Sequence, residues 1–117
     1  MREIATEKYL IRRLSEVPEE RGVCGFRRTI ITADDAPEVN VSHLRIDNSR
    51  YHYHRKMTEL YYVLSGGGTI TLDGEKYPIE QGDLVLIRPG VWHTSEGEMN
   101  VLIAGVPAGE KTDIFFE

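Results

Sequence analysis

The chain has 117 residues, with 19 acidic against 14 basic side chains, a formal net charge of −5 and a pI near 5.4. Such an acidic surface repels phosphate backbones, which removes nucleic acid from the expected partners. The length suits one domain with a single core, and no segment approaches the ~18 consecutive apolar residues of a membrane span.

The opening "MREIATEKYLIRRL" has no apolar run long enough for a signal peptide. Cys24 is the single cysteine, so no intrachain disulfide can form. Together these predict a cytoplasmic protein. Residues 1–28 read as an N-terminal arm. Its "YLIRRLSEVPEE" suits a short helix or an extended arm, stopped near Val17 by Pro18.

From Phe26 onward the signals are those of strands and tight turns. "RRTIIT" and "VNVSHLRI" are β-branched and flank the turn-forming "ADDAPE". "ELYYVLS" is a strong strand, which Gly66 to Gly68 is expected to break. "TITL", Asp73-Gly74 and "EKYPI" make a hairpin with a type I′ turn, because Asp-Gly tolerates positive φ at both central positions. "GDLVLI", "VWHTS" and "NVLIAGV" are further strands, and "TDIFFE" is a candidate edge strand. "LVLI" and "NVLIAGV" are apolar on both faces, the pattern of a wall buried on both sides. Roughly eight or nine short strands at near-regular spacing predict an all-β barrel or double-sheet sandwich over residues 29–107, followed by a tail at 108–117. The arm and the sheet faces need cover, so a homodimer is expected.

Chemistry concentrates in "YHYHRKMTELYYVLSGG". His52 and His54 are two apart and face the same side of a strand. Glu59 returns to that side only if "RKMT" forms a bend. His93, far along the chain, completes a set if its strand lies beside the first two. Three imidazoles and one carboxylate suit one divalent transition metal, Mn, Fe, Co, Ni, Cu or Zn. The ligand set leaves an octahedral ion two open positions, unlike a closed structural zinc site.

The spacing resembles that of the cupin superfamily. Its first motif, G-x5-H-x-H-x(3,4)-E-x6-G, is matched by His52, His54, Glu59 and Gly66, with Ile46 in place of the leading glycine. Its second, G-x5-P-x-G-x2-H-x3-N, is matched by Gly82, Gly90 and His93. There Arg88 stands at the proline position, next to Pro89, and Gly97 at the asparagine position. The resemblance covers about residues 39–107. It implies a cupin-type double-stranded β-helix, a jelly-roll barrel with an N-terminal arm, commonly dimeric with arms exchanged. It also implies metal held by His52, His54, Glu59 and His93.

A net-positive ion with two open positions favours a small anionic or oxygenated substrate. The expected function is a metal-dependent small-molecule enzyme, with dioxygenase, decarboxylase and isomerase chemistry all open. The alternative is a cupin that binds a sugar or organic acid without turning it over. Tyr61 shares a strand face with Glu59 and is the candidate catalytic residue. Tyr53 and Trp92 should face away from the metal. Arg27, Arg28 and Arg45 have the chemistry to clamp a carboxylate, but a solvated or ion-paired role is expected of each. His43 is expected in the wall, with the cavity mouth as its other place. Met57 is expected to cover the site, and Cys24 to serve packing.

Overall fold

The computed structural model describes residues 3–117; the first two residues of the expected arm, Met1 and Arg2, lie outside them. The arm carries two short strands, β1 (Ile4–Ala5) and β2 (Leu10–Ile11), which pair with each other. In place of a helix, "LSE" makes only a 3-10 turn at Leu14–Glu16. Val17 is already extended there, as the residue before a proline must be. Arg12 ties this arm down by pairing with Glu3 and with Asp35 (2.7 Å).

The remaining strands follow the alternation of their sequences. They are β3 (Glu20–Arg21), β4 (Gly25–Ile31), β5 (Asn40–Ile46), β6 (His52–Tyr53), β7 (Thr58–Leu72) and β8 (Glu75–Glu80). Then come β9 (Leu84–Ile87), β10 (His93–Glu96), β11 (Met99–Val106) and β12 (Phe115–Phe116). β4 thus begins at Gly25, inside the stretch read as arm. Every pairing is antiparallel. The sheet runs β12-β6-β10-β7-β11-β5-β4-β3, and β8 and β9 also pair with β7. It curls into a half-barrel of the cupin jelly-roll type.

β7 is the strand that makes the curl. Its first half pairs with β9 and β11, and its second half with β8 and β10. The glycines at 66–68 were expected to end a strand. Instead they let one 15-residue strand pass between two sets of partners. Gly66 has φ +78°, and a Cβ at Gly68 would lie 1.9 Å from the Glu96 carbonyl oxygen. Only glycine permits both the turn in direction and that close approach. The Asp73-Gly74 hairpin has φ 48° and 85°, both positive as a type I′ turn requires.

The core lies inside the curled sheet. Leu44, Val63, Ile70 and Val101 are completely enclosed, and burying such side chains contributes ~1.5–3 kcal/mol each. The outer face departs from expectation. "LVLI" is not covered on both sides, because Leu84 and Leu86 are 62% and 49% exposed. They pair in register with Tyr62 and Leu60, which are also exposed, so an apolar strip runs across the outside of the wall.

Candidate metal centre

The four residues singled out by spacing converge inside the barrel. One potential ligand atom from each of His52, His54, Glu59 and His93 lies within 4.8 Å of all the others. Strand pairing explains this. His93 on β10 is directly opposite His52 on β6, with ring centroids 4.2 Å apart. His54 ends the short extended run from His52, and its ring is 5.1 Å from that of His52. The bend through residues 55–57 then feeds β7, whose inward positions are Glu59, Tyr61 and Val63.

Each imidazole is oriented by a backbone carbonyl. Nδ1–H of His52 donates to Arg50 (2.7 Å), that of His54 to Asp113 (2.5 Å) and that of His93 to Val91 (2.9 Å). A carbonyl can only accept, so the proton of each neutral ring is fixed on Nδ1 and the lone pair on Nε2. These are the outer contacts that set ring orientation around a metal. Glu59 faces the Nε2 atoms, with Oε1 2.6 Å from His54 and 3.4 Å from His93.

Charge makes the same demand. Burial opposes ionisation of Glu59, but the imidazoles of His54 and His93 beside it outweigh burial and hold the carboxyl well below its usual range. Burial, with His93 close by, lowers His52 to about 4, so that ring is neutral at physiological pH. Burial also works against a charged His54, yet contact with the Glu59 carboxylate raises it. His93 Nε2 is buried with no hydrogen-bond partner. Three imidazole Nε2 atoms thus meet a carboxylate around one point, an arrangement that could hold a cation. The donor set, nitrogen and oxygen without sulfur, fits a divalent transition metal.

The tetrad opens into a cavity of about 280 Å³, near the lower end of the ~300–1,000 Å³ typical of small-molecule sites. Tyr61 lines it, 3% exposed, and its hydroxyl donates to Ser95 Oγ at 2.8 Å. Burial keeps that phenol protonated well beyond its ordinary range. Met57 is buried at the edge of the cavity, as a cover would be. Cys24 lines the wall, and burial pushes its thiol up, which makes it an inert packing group. Tyr53 and Trp92 are not among the cavity-lining residues and pack against each other, ring centroids 4.6 Å apart and tilted by 59°.

The other candidates divide by strand parity. Arg28 and Arg45 lie outside the cavity, within 3.8 and 3.6 Å of Glu19. His43 does not line the cavity mouth; its register neighbours, Arg28 and Leu102, place it on the outward row of β5. Arg27 is on the inward row and lines the cavity.

Sequence reading missed Asp113. Its carboxylate accepts the backbone N–H groups of Arg55 (2.8 Å), Lys56 (3.1 Å) and Met57 (3.2 Å). Burial opposes its charge, but these three donors lower its pKa. Its carbonyl orients His54. A lone aspartate in a polar tail carries no signal of this role.

Residues 47–103 match the cupin domain family. The chain is 30% identical to a protein of known structure from Planctomyces limnophilus, with a TM-score of 0.85, covering 91% of this chain and 95% of that one. An uncharacterized protein of Methanocaldococcus jannaschii is 42% identical over 50 residues, which is 43% of this chain and 40% of that protein. The present chain therefore spans well under half of that relative. At the level of fold alone, it resembles Pac13, a nucleoside dehydratase, at 20% identity and a TM-score of 0.81, covering 90% of this chain and 88% of that one. A Streptomyces Pac13 variant has been crystallised with uridine.

Proposed function

Because this chain belongs to the cupin family, we propose that it is a metal-dependent enzyme acting on a small anionic or oxygenated molecule. The observation that carries this reading is the set of three carbonyl-anchored histidines whose Nε2 atoms converge with Glu59 at the base of an open cavity. His52, His54, Glu59 and His93 would hold one divalent ion, which when bound supplies Lewis-acid polarisation of a substrate oxygen. The chain does the rest. The inward rows of β4, β5 and β7 shape the cavity. Tyr61, kept protonated, presents a hydroxyl that can donate to substrate in exchange for Ser95. Met57, buried at the cavity edge, would limit the entry of water.

One observation favours a second reading, a cupin that binds a small acid or sugar without turning it over. Apart from Glu59, the carboxylate lining the cavity is Glu110, which is exposed and pairs with Lys56 at 3.5 Å. No interior carboxylate is left among the described lining residues to serve as a general base. The cytoplasm is the compartment proposed on the single cysteine, and a homodimer is proposed on the exposed apolar strip of β7 and β9.

Protein purified without an affinity metal should contain about one transition-metal ion per chain by elemental analysis, and His93→Ala should lose most of it. Incubation with a panel of small keto acids and phenols, following product and oxygen uptake, separates the two functions. Product formation by the metal-loaded protein supports the enzyme. Tight binding without product supports the binder, and an unchanged metal content in His93→Ala sinks both.

A further inference from the structure

β4 carries two adjacent arginines that alternation sends to opposite faces. In register, Gly25, Arg27 and Thr29 lie opposite Ile46, Leu44 and Ser42 of β5, the buried inward row. Arg27 therefore stands on the interior wall of the barrel and lines the same cavity as the tetrad, together with Asn40 and Ser42. Arg28 faces out, toward Glu19.

Arg27 lacks a matching anion. Glu20 of β3 is its register neighbour, yet among the described residues no carboxylate makes an ion pair with Arg27. Its Nε is buried and has no hydrogen-bond partner. Arg27 is half-buried and always charged, and a buried Nε–H without an acceptor is costly. Nε–H together with a neighbouring terminal N–H forms the planar fork that matches a carboxylate in two parallel hydrogen bonds. The buried carboxylate of the cavity lining, Glu59, is already turned to His54 and His93.

We propose that Arg27 is the substrate-anchoring residue of this cavity, and that the substrate is a small carboxylic acid with a second oxygen donor. The carboxylate lies on the Arg27 fork, with Ser42 and Asn40 beside it, while the second oxygen, an oxo, hydroxy or further carboxyl group, points to the tetrad. The cavity volume of about 280 Å³ limits the acid to a few carbons. This inference deepens the proposed metal-site reading and rests on it for the destination of the second oxygen. The Arg27 half stands on its place in the cavity wall and on its buried, unpartnered Nε.

The test is calorimetric titration of the Ni(II)-loaded protein with pyruvate, malonate, dimethyl malonate and inorganic phosphate, with metal content measured in every sample. Pyruvate or malonate should bind, and the neutral diester should not. Arg27→Gln should keep the wild-type metal content and lose about tenfold or more in acid affinity, the loss expected for a charge-assisted hydrogen bond. Arg27→Lys, which keeps the charge but not the fork, should fall between. Arg28→Gln should match the wild type. Acid binding by Arg27→Gln within twofold of wild type at normal metal content overturns the proposal, as does failure of both acids to bind the wild-type protein at millimolar concentration. Phosphate binding tighter than either acid overturns the carboxylate assignment. If no variant or wild-type sample retains nickel, the metal reading has failed. The anchor is then judged on the same acid titrations of metal-free wild type and Arg27→Gln, where an equal affinity overturns it.

Discussion

Asp113 grips His54 from the far end of the chain: its carbonyl oxygen accepts the Nδ1–H of that ring at 2.5 Å. Its carboxylate closes the bend that follows by accepting three successive backbone N–H groups. The C-terminal tail thus sets both the tautomer of one tetrad member and the path by which the chain returns to Glu59.

Asp113→Ala removes the acceptor for three backbone donors, that of Met57 buried and those of Arg55 and Lys56 partly so, while leaving the backbone carbonyl in place. Stability should fall by about 1–3 kcal/mol, the cost of leaving such donors unsatisfied, read by urea denaturation. Metal affinity should fall by up to about tenfold, because the bend that carries the chain from His54 to Glu59 loses its clasp while the His54 contact stays, read by competition with a chelator. Full affinity in a destabilised variant would reduce Asp113 to a structural clasp.

Tyr61→Phe leaves Ser95 Oγ without its donor in a buried wall. A stability loss of about 1 kcal/mol follows, with metal content unchanged because Tyr61 is not in the tetrad. If Tyr61 donates to substrate, kcat drops in this variant; equal turnover by both proteins removes it from the chemistry.

The arm provides a pH test. Hydrogen bonding to Arg12, and then to Thr32, depresses the Asp35 pKa to about 2, below the ~3.9 of an unfolded aspartate. A depressed folded-state value means stability that is complete above the unfolded pKa and is lost as pH falls through the folded one. The thermal midpoint of the wild-type protein should therefore drop between about pH 4 and 2. Asp35→Asn should show a shallower drop over that window, and parallel curves would contradict the pairing.

The outward strip of Leu60, Tyr62, Leu84 and Leu86 is continuous in register and exposed. An apolar patch of this kind marks an interaction surface. Light scattering after size exclusion should give a dimer for the wild-type protein and a monomer for a Leu84→Lys, Leu86→Lys double variant. A wild-type monomer at micromolar concentration would refute the proposed homodimer.

The tetrad was legible because its cues are local: two histidines at strand spacing, a short bend and a glutamate, with His93 placed by the second motif. The places of Tyr61 and Met57 in the cavity lining followed from parity and proximity. The glycines at 66–68 misled because glycine ends most strands, whereas here it permits a close crossing of Gly68 and Glu96. Arg27 and Arg28 could not be ranked until the register of β4 against Ser42, Leu44 and Ile46 was known. Asp113 was invisible because its partners are backbone N–H groups, which every sequence supplies.

The pairing of His52 with His93 across β6 and β10 has a kinetic consequence. Contacts between segments so remote in the chain form late, after loop-closure entropy has been overcome. Neither histidine meets the other in a partly folded intermediate that lacks this wall. Growth of a metal-dependent absorption band during refolding therefore times barrel closure itself, and it should lag behind the far-ultraviolet signal of the local β7–β8 hairpin.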